Sequence, residues 1–85
     1  MVATKDIRRG RRKARIHARR RAMERLDLKL NANARAELLA SLANGRGRFI
    51  RTGHVTSREV WQTTFRGRSV RVVVDVYLDE IVTVF

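Results

Sequence analysis

The chain contains no cysteine. Disulfides and thiolate metal sites are therefore excluded, and the usage fits a reducing, cytosolic compartment. No apolar run approaches the roughly 18 residues that a membrane span needs. The N-terminus is charged and lacks the apolar segment of about 7–15 residues that marks a secretory signal. A soluble, cytoplasmic protein that is not exported by a signal of its own is expected. No Gly-rich phosphate loop of a known type precedes a predicted helix. There is no His-x-x-x-His pair, so no zinc site is expected. The acidic residues are Asp6, Glu24, Asp27, Glu37, Glu59, Asp75, Asp79 and Glu80. Nothing groups them into the carboxylate cluster of a two-metal nuclease. No metal and no cofactor are expected.

Basic charge is what the chain has in excess. Against 8 Asp and Glu stand 20 Lys and Arg, for a net charge of +12. Most of these fall before Thr52, and nearly all are arginine. Arginine contacts phosphate with a planar, two-toothed fork and stacks on bases, which an ammonium does less well. Nucleic acid, RNA first, is the expected partner. An acidic protein surface is the other partner such a patch fits; a membrane surface fits less well. With 85 residues the chain makes one small domain of marginal core. A homodimer or a partner on an open sheet edge would add stability.

Two regimes divide the sequence. Residues 1–44 are rich in Arg, Ala and Leu, and residues 48–85 in Val, Thr, Ile and aromatics. The expected fold class is α+β: two N-terminal helices packed on a small antiparallel sheet of about four strands, connected as a meander. Residues 1–10 are expected to be a flexible basic arm, because Gly10 weakens a helix there, and residues 11–85 a single domain. The first helix starts at Asp6 or Arg11 and ends at Leu26. Its apolar stripe reads as Ile16, Met23 and Leu26, with Ala22 filling between. A connector follows, then a helix capped by Asn31 or Asn33 and running to Ala43, with Leu38, Leu39 and Leu42 toward the core. Asn44-Gly45 stops it. Strands are expected over 48–51, 58–65, 69–78 and 81–85, with a tight turn at Gly67. In the second of these, Val60, Gln62 and Thr64 share one face, and Trp61, Thr63 and Phe65 the other.

A ribonuclease that works without a metal must deprotonate a 2′-OH, hold a pentavalent phosphorane with positive charge and protonate a 5′ oxygen. Histidine suits the proton transfers, and arginine the phosphorane. Both histidines, His17 and His54, lie in arginine-rich segments. In a helix over 13–26, His17, Arg20, Arg21 and Arg25 follow i, i+3, i+4, i+8 spacing and project from one face. Surrounding arginines would push the His17 pKa down and favour a neutral base. His54, in a polar loop, is a candidate general acid. Arg12, Arg20, Arg21, Arg48 and Arg51 are candidate nucleic-acid contacts, and Trp61 a candidate platform for base stacking. The bland alternatives are a solvated Arg-rich helix that happens to contain a His, a plain loop histidine and a core tryptophan.

The stretch "HARRRAMERL", the Leu-rich helix, "NG", and the closing "VVVDVYLDEIVTVF" resemble the small helix-plus-sheet domains of the barnase–EndoU–colicin–RelE superfamily. The resemblance spans about His17 to Phe85. It is closest to uncharacterised domains with a His…Arg-Met…Glu-Arg helix and a final "ivTv" strand. It implies a metal-independent ribonuclease of toxin type, with His17 as the helix histidine, Arg25 as the arginine after it, and Thr83 as a strand donor to the scissile phosphate. It also implies an acidic antitoxin or immunity protein as partner. Two other functions stay open: a nucleic-acid-binding protein without catalysis, and a small phage or mobile-element factor that inhibits an acidic host protein.

Overall fold

The computed structural model describes residues 4–53 and 57–85, with side chains from residue 7 onward. Helix α1 runs Thr4–Leu26 and helix α2 Ala32–Ala43. Strands β1 (Arg48–Thr52), β2 (Arg58–Phe65), β3 (Arg68–Asp75) and β4 (Glu80–Val84) follow. They form one sheet in sequence order, each neighbour antiparallel. The fold is the α+β meander with two leading helices that the composition shift implies.

Local chemistry explains most boundaries. Asn31 caps α2, its side-chain oxygen accepting from the Ala34 N–H at 2.9 Å. The β2–β3 turn places Arg66 and Gly67 at φ 52° and 80°. Two positive φ values suit a two-residue hairpin because their twist matches that of the flanking strands. Strand β3 ends at Asp75 rather than continuing to Leu78. The Asp75 Oδ1 accepts the N–H groups of Tyr77 and Leu78 at 3.0 and 3.1 Å. A side chain that satisfies those two donors closes a turn where the apolar run alone suggested more strand.

Helix α1 departs further from expectation. It begins at Thr4, inside the segment expected to be an arm, and passes through Gly10. A Cβ at Gly10 would lie 3.1 Å from a Leu78 methyl. The Arg11 Nε donates to the Leu78 carbonyl at 2.7 Å. Contact with the β3–β4 turn thus offsets the low helix propensity of glycine. The buried stripe is also different. Ala14, Ala18 and Ala22 are buried, whereas Ile16 and Met23 are exposed and Leu26 is half-buried. Helix α1 packs along β4, and only a small side chain every fourth residue allows that close approach. Steric fit overrode hydrophobicity in selecting the inward face.

The core joins Ala18 and Ala22 of α1, Leu30 of the connector, and Ala34 and Leu38 of α2 to Phe65, Val70, Val72, Val74, Ile81 and Val84 of the sheet. Above it, Glu80 is 2% exposed. Its carboxylate accepts from the Arg15 Nε at 2.7 Å and pairs with the Arg35 Nε at 3.1 Å. One carboxylate therefore ties α1, α2 and β4 together.

Two bulges decide which residues share a face. Between Phe49 and Arg51 the register of β1 on β2 shifts by one. Arg48 opposes Gln62 and Arg51 opposes Val60, so both arginines lie on the Val60–Gln62 face although they are three residues apart. The second bulge, between Ile81 and Thr83, keeps Ile81 in the core and turns Thr83 to the outer face.

Enlarging the seam should cost more than removing the apolar groups outside it. Ala18→Leu is expected to lower unfolding free energy in urea by about 1–3 kcal/mol. Ile16→Ser and Met23→Ser should change it by no more than about 0.5 kcal/mol.

Candidate nucleic-acid cleft

The outer face of the sheet is where the chemistry gathers. Alternation along β2 puts Arg58, Val60 and Gln62 on it, and register puts Arg71, Val73 and Thr83 beside them. Because α1 lies along β4, its His17 side reaches over this face. His17, Arg51, Arg58, Thr83, Val73 and Phe85 line one cavity of about 250 Å³. The Arg25 guanidinium lies 5.5 Å above the Phe85 ring at its edge, close enough for a cation–π contact.

Each polar group here has a definite anchor or lacks one. The Arg58 Nε lies 3.7 Å from the Asp75 carboxylate, which is nearly buried and also accepts from the Ser57 hydroxyl at 3.2 Å. The Arg58 Nε itself makes no hydrogen bond among the described residues. A Cβ at Gly53 would sit 3.0 Å from the Arg58 Cβ, so the glycine leaves that side chain its room. The Thr83 hydroxyl oxygen is buried and has no hydrogen-bond partner among the described residues. An unpaired buried hydroxyl costs roughly 1–3 kcal/mol, a cost relieved when a ligand supplies the partner. Arg21 pairs with Glu24 through Nη1 at 3.2 Å, while its buried Nε is unpartnered.

His17 is half-buried, and its pKa lies below the ordinary value. Loss of solvent contact contributes most, followed by the positive charges of Arg21, Arg20, Arg25 and Arg58. The shift favours the neutral imidazole, the form that can accept a proton.

The expected site residues thus divide. His17, Thr83 and Arg51 meet in the cavity, and Arg25 stacks at its rim. Arg21 points to the same side, four residues from His17. Arg48 shares the sheet face but is exposed near its outer end. Arg20 turns away, beside Ile16, Met23 and Lys29. Arg12 is exposed on α1 and does not line the cavity. Trp61 lies on the opposite face, edge-on to Phe49 at 5.5 Å and packed against the core. Its Nε1 donates to Glu59 at 3.1 Å. His54 lies outside the described residues. Sequence reasoning missed Arg58 and Phe85. The signal for Arg58 was present, since alternation places it with Val60. Its value depended on Thr83 facing the same way, which the β4 bulge decides.

Among the described residues, no three His, Asp or Glu side chains come together as a metal site, and no helix is long and apolar enough to cross a membrane. No family model, no curated protein and no solved structure matches the chain.

His17 should titrate below its ordinary pKa of about 6.5 in a proton NMR titration, and Arg21→Gln should raise the value. With the folded pKa below the unfolded one, the unfolded chain binds the proton first. Stability should therefore fall as pH drops through about 6.5 and level off below the folded pKa. His17→Asn should flatten that part of the profile.

Proposed function

We propose that the protein binds RNA in this cleft and cleaves it by attack of the 2′-OH on the adjacent phosphate, without a metal. The observation that carries the reading is the meeting in one cavity of His17, Arg58, Arg51 and a Thr83 hydroxyl that has no partner among the described residues. A neutral imidazole next to guanidinium groups is the pairing that this chemistry needs. His17 accepts the 2′-OH proton. The 2′ oxygen forms a bond to phosphorus, the bond to the 5′ oxygen breaks, and a 2′,3′-cyclic phosphate remains. Arg58 and Arg51 offset the charge that builds on the phosphorane, where donors are worth most. Thr83 donates to a non-bridging oxygen, and Arg25 stacks at the rim. The departing 5′ oxygen takes a proton, for which His54 is the candidate named by the sequence. The likeness of the first helix and last strand to the barnase–EndoU–colicin–RelE superfamily supports the same reading. On this reading the protein acts in the cytoplasm, where its RNA substrate is found.

A second reading has its own observation. Ile16 and Met23 are exposed on one face of α1, with three cations, Arg19, Arg20 and Lys29, and one carboxylate, Glu24, around them. An acidic protein segment with apolar side chains, such as an antitoxin or a host factor, fits this patch by charge and hydrophobicity.

Purified wild-type protein in EDTA should cut tRNA or mRNA to products ending in 2′,3′-cyclic phosphate, read on a denaturing gel. His17→Ala should lower the rate by about 10²–10⁴, and Arg58→Ala by about 10²–10³. Intact RNA with the wild type, shifted on a native gel in a salt-sensitive way, would make the protein a binding module instead.

A further inference from the structure

The cavity that holds Thr83 is not alone. A second one, of about 340 Å³, lies on the other side of His17 and Arg58. The two share His17, Arg58 and Val82 as a common wall. The second is bounded by Gly10, Lys13 and Ala14 of α1 and by Leu78 of the β3–β4 turn. Its walls are apolar except at the shared end and at Lys13, which is exposed at the rim. That composition, an apolar slot with a few placed polar groups, is that of a small-ligand subsite.

The slot is built. Asp75 braces two of its lining residues, since the carboxylate that lies near Arg58 also accepts the Leu78 N–H. The Arg11 side chain holds the Leu78 carbonyl against α1. Leu78 packs directly on Gly10, where an added Cβ would lie 3.1 Å from a Leu78 methyl, and that contact closes the far end of the slot.

We infer that this slot is a second nucleotide subsite, so that the protein binds a single-stranded dinucleotide unit with its bridging phosphate over His17 and Arg58. The inference rests on the RNA reading above and adds to it the length and strandedness of the substrate. A base lies in the groove over Ala14, Val82 and Leu78, and Lys13 meets the phosphate beyond it. The other nucleotide occupies the cavity floored by Val60, Val73 and Phe85. Two separate slots on either side of a protruding His–Arg pair require splayed, unstacked bases, as single strands provide and duplexes do not.

The test compares 3′-UMP with the non-cleavable 2′-O-methyl dinucleotide pUpUp, by titration calorimetry at several salt concentrations. The wild type should bind the dinucleotide more tightly than 3′-UMP. Gly10→Leu fills the slot and should weaken the dinucleotide roughly tenfold or more, the loss expected when one stacked base is excluded, while 3′-UMP is unaffected. Lys13→Ala should weaken the dinucleotide and reduce its log–log salt slope by about 0.7, the value for one phosphate on a single strand. If Gly10→Leu loses its folded circular-dichroism spectrum, Lys13→Ala, at an exposed position, decides alone. Binding of both probes with neither variant selective for the dinucleotide would overturn the subsite and leave the RNA reading standing. Binding of neither probe by the wild type would overturn both.

Discussion

A buried carboxylate holds the architecture in place. Glu80 sits at the start of β4, with Arg15 of α1 on one oxygen and Arg35 of α2 on the other. A charge removed from water is tolerated only when it is paired, and removing one partner of such a group costs about 3–5 kcal/mol. The pairing also has a geometric consequence. It fixes the height of α1 along β4, where the Ala14–Ala18–Ala22 seam then closes against the strand. His17 lies between two of those alanines in sequence, so the same contact sets how far its ring reaches over the sheet.

The second constraint is the pair of β-bulges. Without the irregularity near Ile50, Arg48 and Arg51 would face opposite ways, and only one would join Arg58. Without the one at Val82, Ile81 and Thr83 would not be divided between core and cleft as they are. A single inserted residue changes facing for everything beyond it, because side chains alternate with period two. The cleft is thus assembled from four strands and a helix, and its functional side chains share no sequence motif.

Positive charge is the chain's dominant feature, but it is divided between uses. Arg15 and Arg35 serve the fold, and Arg11 and Arg68 tie α1 to the sheet through backbone carbonyls. Arg66, in the β2–β3 turn, pairs with Glu37 of α2. Arg51 and Arg58, in contrast, line the cavity with His17. There Arg58 adds its charge to the burial and the α1 arginines that lower the His17 pKa.

Much was legible in the sequence alone. The shift from Arg, Ala and Leu to Val and Thr separates helices from strands, Asn31 marks a cap, and alternation along Arg58–Phe65 sorts Trp61 from Val60. These are local properties, set by backbone propensity and side-chain period. The inward face of α1 was not legible, because Ile16 and Met23 outrank alanine in hydrophobicity and lose only to the close approach of β4. Nor was the length of β3, where one carboxylate closes a turn inside an apolar run. His17 and Thr83 stand out by residue type, but their meeting with Arg58 does not, since it depends on register, on a bulge and on helix docking. Local chemistry determined the elements and the charge. Long-range packing decided which of the many arginines face a histidine, because only tertiary contact makes positions far apart in the chain neighbours in space.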